Sequence, residues 1–285
     1  MNKRVLCLLL SALMLFGAAA FSESVDTSGV AEASDMTDVI DIVDESMKPV
    51  AADRLVDGVY AVEVDVSSSM FKVVGCELTV ANGEMTAKLA MKSDAYSYMF
   101  PGTAEEAARA DAAALVALET GVDGGFSFTL PVDALDAAYT CAAFSARKQL
   151  WYPRTLVFRS DSLPLDAWNP AAFATAEALN LADGAYTCEV SLDGTGRAAL
   201  VSPAAISVEG GACTAEIEFT TRKIDYVIVG GEKYAPVRVG DGAAFAVPVA
   251  AFDLPLSIIV DSTAIKPSVE VAYTVTFDSA TIRAQ

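Results

Sequence analysis

Apolar and polar residues alternate with a period of two along much of this chain. Tyr60, Val62, Val64 and Val66 are interleaved with Ala61, Glu63 and Asp65, and residues 215–219, 225–229 and 269–277 behave similarly. Successive side chains of a strand point to opposite faces, so this pattern predicts strands with one face buried. Asp-Gly pairs, Asn82-Gly83 and Gly210-Gly211 fall between the runs, where glycine adopts positive φ at little cost and turns the chain.

The strands come in two related sets. Asp57-Gly58-Val59-Tyr60-Ala61-Val62-Glu63-Val64 returns as Asp183-Gly184-Ala185-Tyr186-Thr187-Cys188-Glu189-Val190. Leu78-Thr79-Val80 returns as Ile206-Ser207-Val208, Phe128-Thr129-Leu130-Pro131-Val132 as Phe245-Ala246-Val247-Pro248-Val249, and Asp136 as Asp253. Both sets close on a strand ending at Phe158 or Phe277. So many matches in one order indicate an internal duplication. Short strands at this rhythm over roughly 100 residues predict an all-β protein of two tandem immunoglobulin-like β-sandwich modules, residues 54–160 and 181–285, joined by a linker over 161–180. The first module also holds Thr103-Ala104-Glu105-Glu106, a capping box opening an alanine-rich run to Leu118, which predicts a short inserted helix. The second has Gly230-Gly231 there instead.

The ends of the chain set the compartment. A basic start (Asn2-Lys3-Arg4), an apolar core over residues 5–16 and small residues at 17–20 have the layout of a signal peptide over residues 1–20, too short for a membrane span. No later segment is apolar enough to cross a bilayer, so the expectation is a secreted, periplasmic or extracellular surface protein with no membrane span after cleavage. Residues 21–53 carry nine acidic side chains against Lys48 alone and read as an acidic, disordered stalk.

Charge and composition then exclude functions. Nineteen basic and 38 acidic residues leave a net charge of −19, and without a basic cluster this excludes a nucleic-acid partner. There is no histidine at all, which removes Ser-His-Asp and Cys-His catalysis, histidine-held zinc and histidine-held haem. Ser145-Ala146-Arg147-Lys148 matches the S-x-x-K pattern of penicillin-recognising enzymes, but the partner motifs are absent. No pair of carboxylates stands out, so binding is expected rather than catalysis. Cys76, Cys141, Cys188 and Cys213 remain after loss of Cys7 with the signal. In an exported protein they suggest two disulfides, Cys76–Cys141 and Cys188–Cys213, since each module should fold by itself; four buried thiols are the alternative.

Aromatic residues offer a binding surface. Tyr96, Tyr98, Met99 and Phe100 cluster before the inserted helix, Trp151-Tyr152 precede the closing strand, and the second module supplies Tyr226, Tyr234 and Tyr273. Such residues line clefts for flat or sugar-like ligands, and equally form sandwich cores.

Ser67-Ser68-Ser69-Met70, followed by Cys76-Glu77-Leu78-Thr79-Val80-Ala81-Asn82-Gly83-Glu84-Met85-Thr86, resembles NEAT domains, immunoglobulin-like haem-binding modules of bacterial iron acquisition. The closing Tyr273-Thr274-Val275-Thr276-Phe277 resembles them in the second module. The resemblance implies capture of haem or another tetrapyrrole, with no cofactor required by the residues themselves, and an iron-uptake transporter as recipient. The implied pocket lies between the Ser67–Met70 turn and the strand over 150–158. There Met70 packs on the ligand, Ser69 bonds its carboxylate rim, and Arg147, Lys148 or Arg154 pairs with its anionic groups; Tyr98, Met99 and Tyr152 belong to the same candidate surface. The family's Y-x-x-x-Y motif is departed from in both modules, with Leu150 and Arg154 in the first and Val269 and Tyr273 in the second, so the usual tyrosinate is missing and haem binding would use another ligand, such as Met70 or Met99, or none at all. The second module has Asp193-Gly194-Thr195-Gly196 in place of the Ser-Met turn and is expected to bind more weakly or differently. The other functional class is an interaction module that recognises a surface protein or glycan through its loops.

Overall fold

A computed structural model describes residues 26–36, 39–44, 47–194 and 196–285; the signal peptide expected over residues 1–20 lies outside them. The first set of strands comprises β1 (Gly58–Ala61), β2 (Glu63–Val66), β3 (Val73–Ala81), β4 (Glu84–Met91), β5 (Tyr96–Pro101), β6 (Val116–Ala117), β7 (Glu119–Thr120), β8 (Phe126–Val132), β9 (Tyr139–Ser145) and β10 (Leu150–Arg159). The second comprises β11 (Gly184–Cys188), β12 (Val190–Asp193), β13 (Ala204–Glu209), β14 (Ala212–Phe219), β15 (Ile224–Val229), β16 (Glu232–Tyr234), β17 (Arg238–Val239), β18 (Ala243–Pro248), β19 (Leu256–Ser262), β20 (Val269–Phe277) and β21 (Arg283–Ala284).

These strands form four antiparallel sheets, ordered β1-β3-β4-β8-β7 and β2-β10-β9-β5-β6 in the first sandwich, and β17-β18-β14-β13-β11-β21 and β12-β20-β19-β15-β16 in the second. Strand for strand the orders correspond, with β21 added at one edge. The register corresponds too: Phe158 pairs with Val64 and Phe277 with Val190, the residues matched in the sequence repeat. Two-residue turns hold this register. Asn82 and Gly83 (φ 54° and 80°) join β3 to β4, and Gly210 and Gly211 (φ 57° and 81°) join β13 to β14. Positive φ at both central residues matches the right-handed twist of the flanking strands.

Alternation along the strands becomes burial. β13 alternates buried and exposed residues throughout, and Leu78, Leu89, Phe128 and Phe158 in the first core and Phe219, Phe245 and Phe277 in the second are fully enclosed. Each such side chain contributes about 1.5–3 kcal/mol from apolar burial. The inserted helix is shorter than the alanine run: α1 spans only Ala104–Ala107, capped by Thr103 and Glu106, a 3-10 turn covers Ala112–Ala114, and the chain then enters β6. Ala104 and Ala107 pack on Phe144 and Trp151, so α1 covers a sheet face.

Two expectations are corrected. The four cysteines are free and buried, with none at disulfide distance from another. Cys76 and Cys141 sit on strands of opposite sheets, and burial pushes both thiols up to about 12; the Cys188 thiol instead donates to the carbonyls of Glu189 and Asp278. The acidic N-terminal segment, expected as a disordered stalk, is laid on the first sandwich where it is described. Ala31 N–H donates to Trp151 O (2.9 Å), Trp151 N–H to Gly29 O (2.9 Å) and Ile40 N–H to Ser67 O (2.8 Å), while Val50 and Leu135 exchange a pair of backbone bonds. Backbone left unpaired by the sheets, at Trp151 on β10, at Ser67 just past β2 and at Leu135 past β8, supplies these partners. The linker packs as well: Leu163, Ala167 and Trp168 join the first core, and Ala176 the second. Leu254 of the second sandwich is buried in the first core as well, and the Arg159 guanidinium bridges Asp161 and Thr274 (3.1 and 2.9 Å).

Candidate functional site

The turn after β2 is pinned from both sides. Ser67 N–H donates to Thr155 O (3.0 Å) and Ser67 Oγ accepts from Thr155 N–H (2.9 Å). Phe71 anchors the far end of the turn, fully buried with its ring centroid 5.1 Å from that of Tyr96. Ser67 and Ser68 are therefore buried, whereas Ser69 is exposed and Met70 is 61% exposed. The N-terminal strap crosses this turn through the Ile40–Ser67 bond. Between strap, turn and β10 lies a groove of about 470 Å³ whose walls include Met36, Ile40, Asp41, Ser68, Pro153 and Arg154.

Arg154 is the unusual member of that wall. It is 6% exposed, its guanidinium lying 5.9 Å from the Tyr96 ring centroid and 5.2 Å from that of Tyr152. One terminal nitrogen donates to Pro153 O (2.8 Å) and the other to the Tyr96 hydroxyl (3.2 Å). Its Nε is buried with no hydrogen-bond partner, and among the described residues no carboxylate forms an ion pair with it. The groups around it are neutral. Burial holds the Cys141 thiol up at about 12 despite the nearby guanidinium, and burial likewise raises the Tyr152 phenol.

The other candidates scatter. Met99 is fully buried in the first core, so it cannot meet a ligand as expected. Tyr98 is half-buried against Phe144 (6.2 Å between centroids), and Arg147 stands on the exposed turn between β9 and β10. Tyr226, Tyr234 and Tyr273 all belong to the second sandwich. The Tyr226 hydroxyl donates to Glu270 (2.7 Å) with Lys233 Nζ 3.3 Å from its ring centroid, and Tyr234 packs on the second core. The fold therefore gathers Arg154, Tyr152 and the turn bearing Ser69 and Met70, and leaves the rest apart. Met36, Ile40 and Asp41 were missed. The signal for them was the apolar pattern Val39-Ile40-Asp41-Ile42-Val43 inside an acidic stretch, which a solvated stalk has no need of.

Duplication provides an internal control for this site. Counting back from Phe158 and Phe277, Arg154 corresponds to Tyr273. In the second sandwich the loop between β12 and β13 folds over that position, and the Tyr273 hydroxyl accepts a bond from Ala198 N–H (3.0 Å). Tyr273 is 5% exposed, and a side chain at Gly196 would overlap its hydroxyl.

A haem iron is held in proteins by imidazole, thiolate, thioether or phenolate. The groove wall offers the Met36 thioether and the Asp41 carboxylate, with no imidazole, thiol or phenol on it, and Leu150 stands where the resemblance implies a tyrosine. The donor set does not fit the family's iron ligation, although the apolar wall and the cation suit the periphery of a flat anionic molecule. Among the described residues no cluster of metal-binding side chains occurs, and no helix is long and apolar enough to cross a membrane.

No family model matches the chain, and no curated protein matches it. Among solved structures it is similar to that of a mutant of IsdX2-NEAT5 in complex with heme, at 15% identity over 34% of this chain and 97% of that one, with a TM-score of 0.30. A score that low does not establish a shared fold.

Proposed function

We propose that this is an exported capture protein whose first sandwich takes a flat, amphipathic molecule into the groove between the strap, the Ser67–Met70 turn and β10. The observation that carries this reading is the groove itself. Its volume of about 470 Å³ falls within the range of small-molecule pockets, and its wall is mostly apolar with a few convergent polar groups, as such pockets are. Its position between the Ser-Met turn and the closing strand is where the resemblance to NEAT domains puts a ligand. A tetrapyrrole is accordingly the first molecule to try, with haem as one case and an uptake protein at the cell surface as the recipient.

The donor set favours recognition of the ring and its acidic edge over ligation of iron. Titration of the chain lacking its signal with haemin and with iron-free protoporphyrin IX tests this, read by absorbance and by quenching of tryptophan fluorescence. Saturable binding of both, within about threefold of each other, is the expected result. Binding of haemin alone would mean that iron is ligated after all. If neither binds, the capture reading falls and the interaction-module class takes its place.

A further inference from the structure

We infer that the molecule taken by this groove is selected for a negative head group, a carboxylate on an otherwise apolar body, and that Arg154 is the residue that selects it. The inference deepens the capture reading and rests on it. A guanidinium carries five N–H donors and a charge that never titrates away in a protein. At Arg154 two terminal nitrogens have neutral acceptors, Pro153 O and the Tyr96 hydroxyl, while Nε has none. Burying a cation is costly unless it is paired, and buried charges in proteins are generally paired or hydrogen-bonded for that reason.

Among the described residues, this cation is met by two neutral acceptors and two aromatic rings but by no anion. Cys141, opposite Arg154 on β9, is held in its neutral form, as is Tyr152. The strap brings Asp41 onto the groove wall and Asp35 near enough to Tyr152 to disfavour its ionisation, yet neither carboxylate pairs with Arg154. A fold that only had to pack would place an apolar or phenolic side chain here, and the second sandwich does: its equivalent residue is Tyr273, closed over and hydrogen-bonded by its own loop. Retaining a buried cation that no described carboxylate pairs, at one of two equivalent positions, is the mark of a residue kept for a ligand at the expense of stability. A carboxylate meets a guanidinium with two parallel hydrogen bonds, for which each terminal nitrogen still has a second N–H.

The test uses two fluorescent probes of the same shape, 1-pyrenebutyrate and 1-pyrenebutanol, titrated into the chain lacking its signal. The acid is expected to bind about tenfold more tightly than the alcohol, the scale of one charge-assisted pair. Arg154→Met should abolish that preference, so that acid and alcohol bind alike, and should melt no lower than the parent because a buried charge that no described carboxylate pairs has been removed. Arg154→Gln gives the same readout should the methionine variant fold poorly, and the acid-to-alcohol ratio of the parent needs no variant. Equal binding of the two probes, or a preference that survives in Arg154→Met, overturns the assignment while leaving the groove standing. Binding of neither probe overturns the groove reading together with it.

Discussion

Two copies of one strand carry the clearest lesson of this molecule. β10 and β20 share their register with the neighbouring strand, their terminal phenylalanine and their place in the sheet, yet four residues before that phenylalanine one has Arg154 and the other Tyr273. The neighbouring loops differ in step with this. In the first sandwich residues 67–72 make a tight turn that stops short of the position, and a separate strap passes over the remaining groove. In the second, the loop after β12 is long enough to fold back, and Gly194 and Gly196 let the backbone approach Tyr273 where any side chain would collide. One copy is closed by its own chain and the other is left with a groove and a cation that no described carboxylate pairs. A shared fold thus holds one structural and one functional version of the same position.

The largest effect expected from disturbing this comparison is at Tyr273. Tyr273→Ala removes a buried aromatic ring and the acceptor for Ala198 N–H, and should lower the stability of the second sandwich by about 3–5 kcal/mol, the range for buried aromatic truncations. Denaturant unfolding followed by circular dichroism measures it; a loss no larger than that of Arg154→Met would erase the contrast. Next come the paired aspartates. Asp136 (φ 50°) accepts bonds from Ser160 N–H and Oγ, and Asp253 (φ 68°) accepts from Ser279 N–H and Oγ. Asparagine tolerates the same left-handed backbone, so Asp136→Asn and Asp253→Asn isolate these bonds. Each should cost about 1–3 kcal/mol, and similar costs in the two sandwiches would show that the motif does the same work in both.

A smaller effect is expected in the strap. Ile40→Pro deletes the N–H that reaches Ser67 and should cost about 0.5–1.5 kcal/mol locally. Stopped-flow fluorescence should then show faster entry of 1-pyrenebutyrate, and an unchanged rate would mean that the strap does not cover the groove's entrance. The smallest effect is a slope with pH. Burial holds the Asp136 carboxyl above its ordinary range, against the Ser160 hydrogen bonds and the Arg159 charge that pull it down. A group whose folded pKa exceeds its unfolded value, about 4, binds more protons when folded. Its contribution is therefore most favourable below pH 4 and declines as pH rises through the folded value. Asp136→Asn should flatten this part of the stability profile between pH 4 and 7.

Much of the fold was legible in the chain because it depends on local rules. The alternation along residues 60–66 and 269–277, the Asn-Gly and Gly-Gly turns and the repeated Asp-Gly-x-Tyr openings each state a backbone preference within a few residues. The capping box at Thr103 was legible for the same reason, though the helix it opens ends after one turn: burial of Ala104 and Ala107 on Phe144 and Trp151 is all the sheet face can accept before β6 must pair with β5. The site was only partly legible. The Ser67–Met70 turn and β10 were identified, but the resemblance that pointed to them also implied roles for Met99 and Arg147, one of which is sealed in the core while the other stands on an exposed turn.

By itself, then, the sequence determined the repeated, all-β architecture and, through the absence of histidine, a class of chemistry the protein does not use. Only the tertiary structure decided where charge and thiol ended up. Whether Cys76 meets Cys141 depends on the spacing of two facing sheets. Whether the acidic segment floats or lies against β10 depends on unpaired backbone that exists only once β2 has stopped short. Whether Arg154 finds a carboxylate depends on a strap more than a hundred residues away in the chain. These are long-range contacts, and no local pattern encodes them, because the free energy of a buried charge is set by whichever groups the fold happens to bring around it.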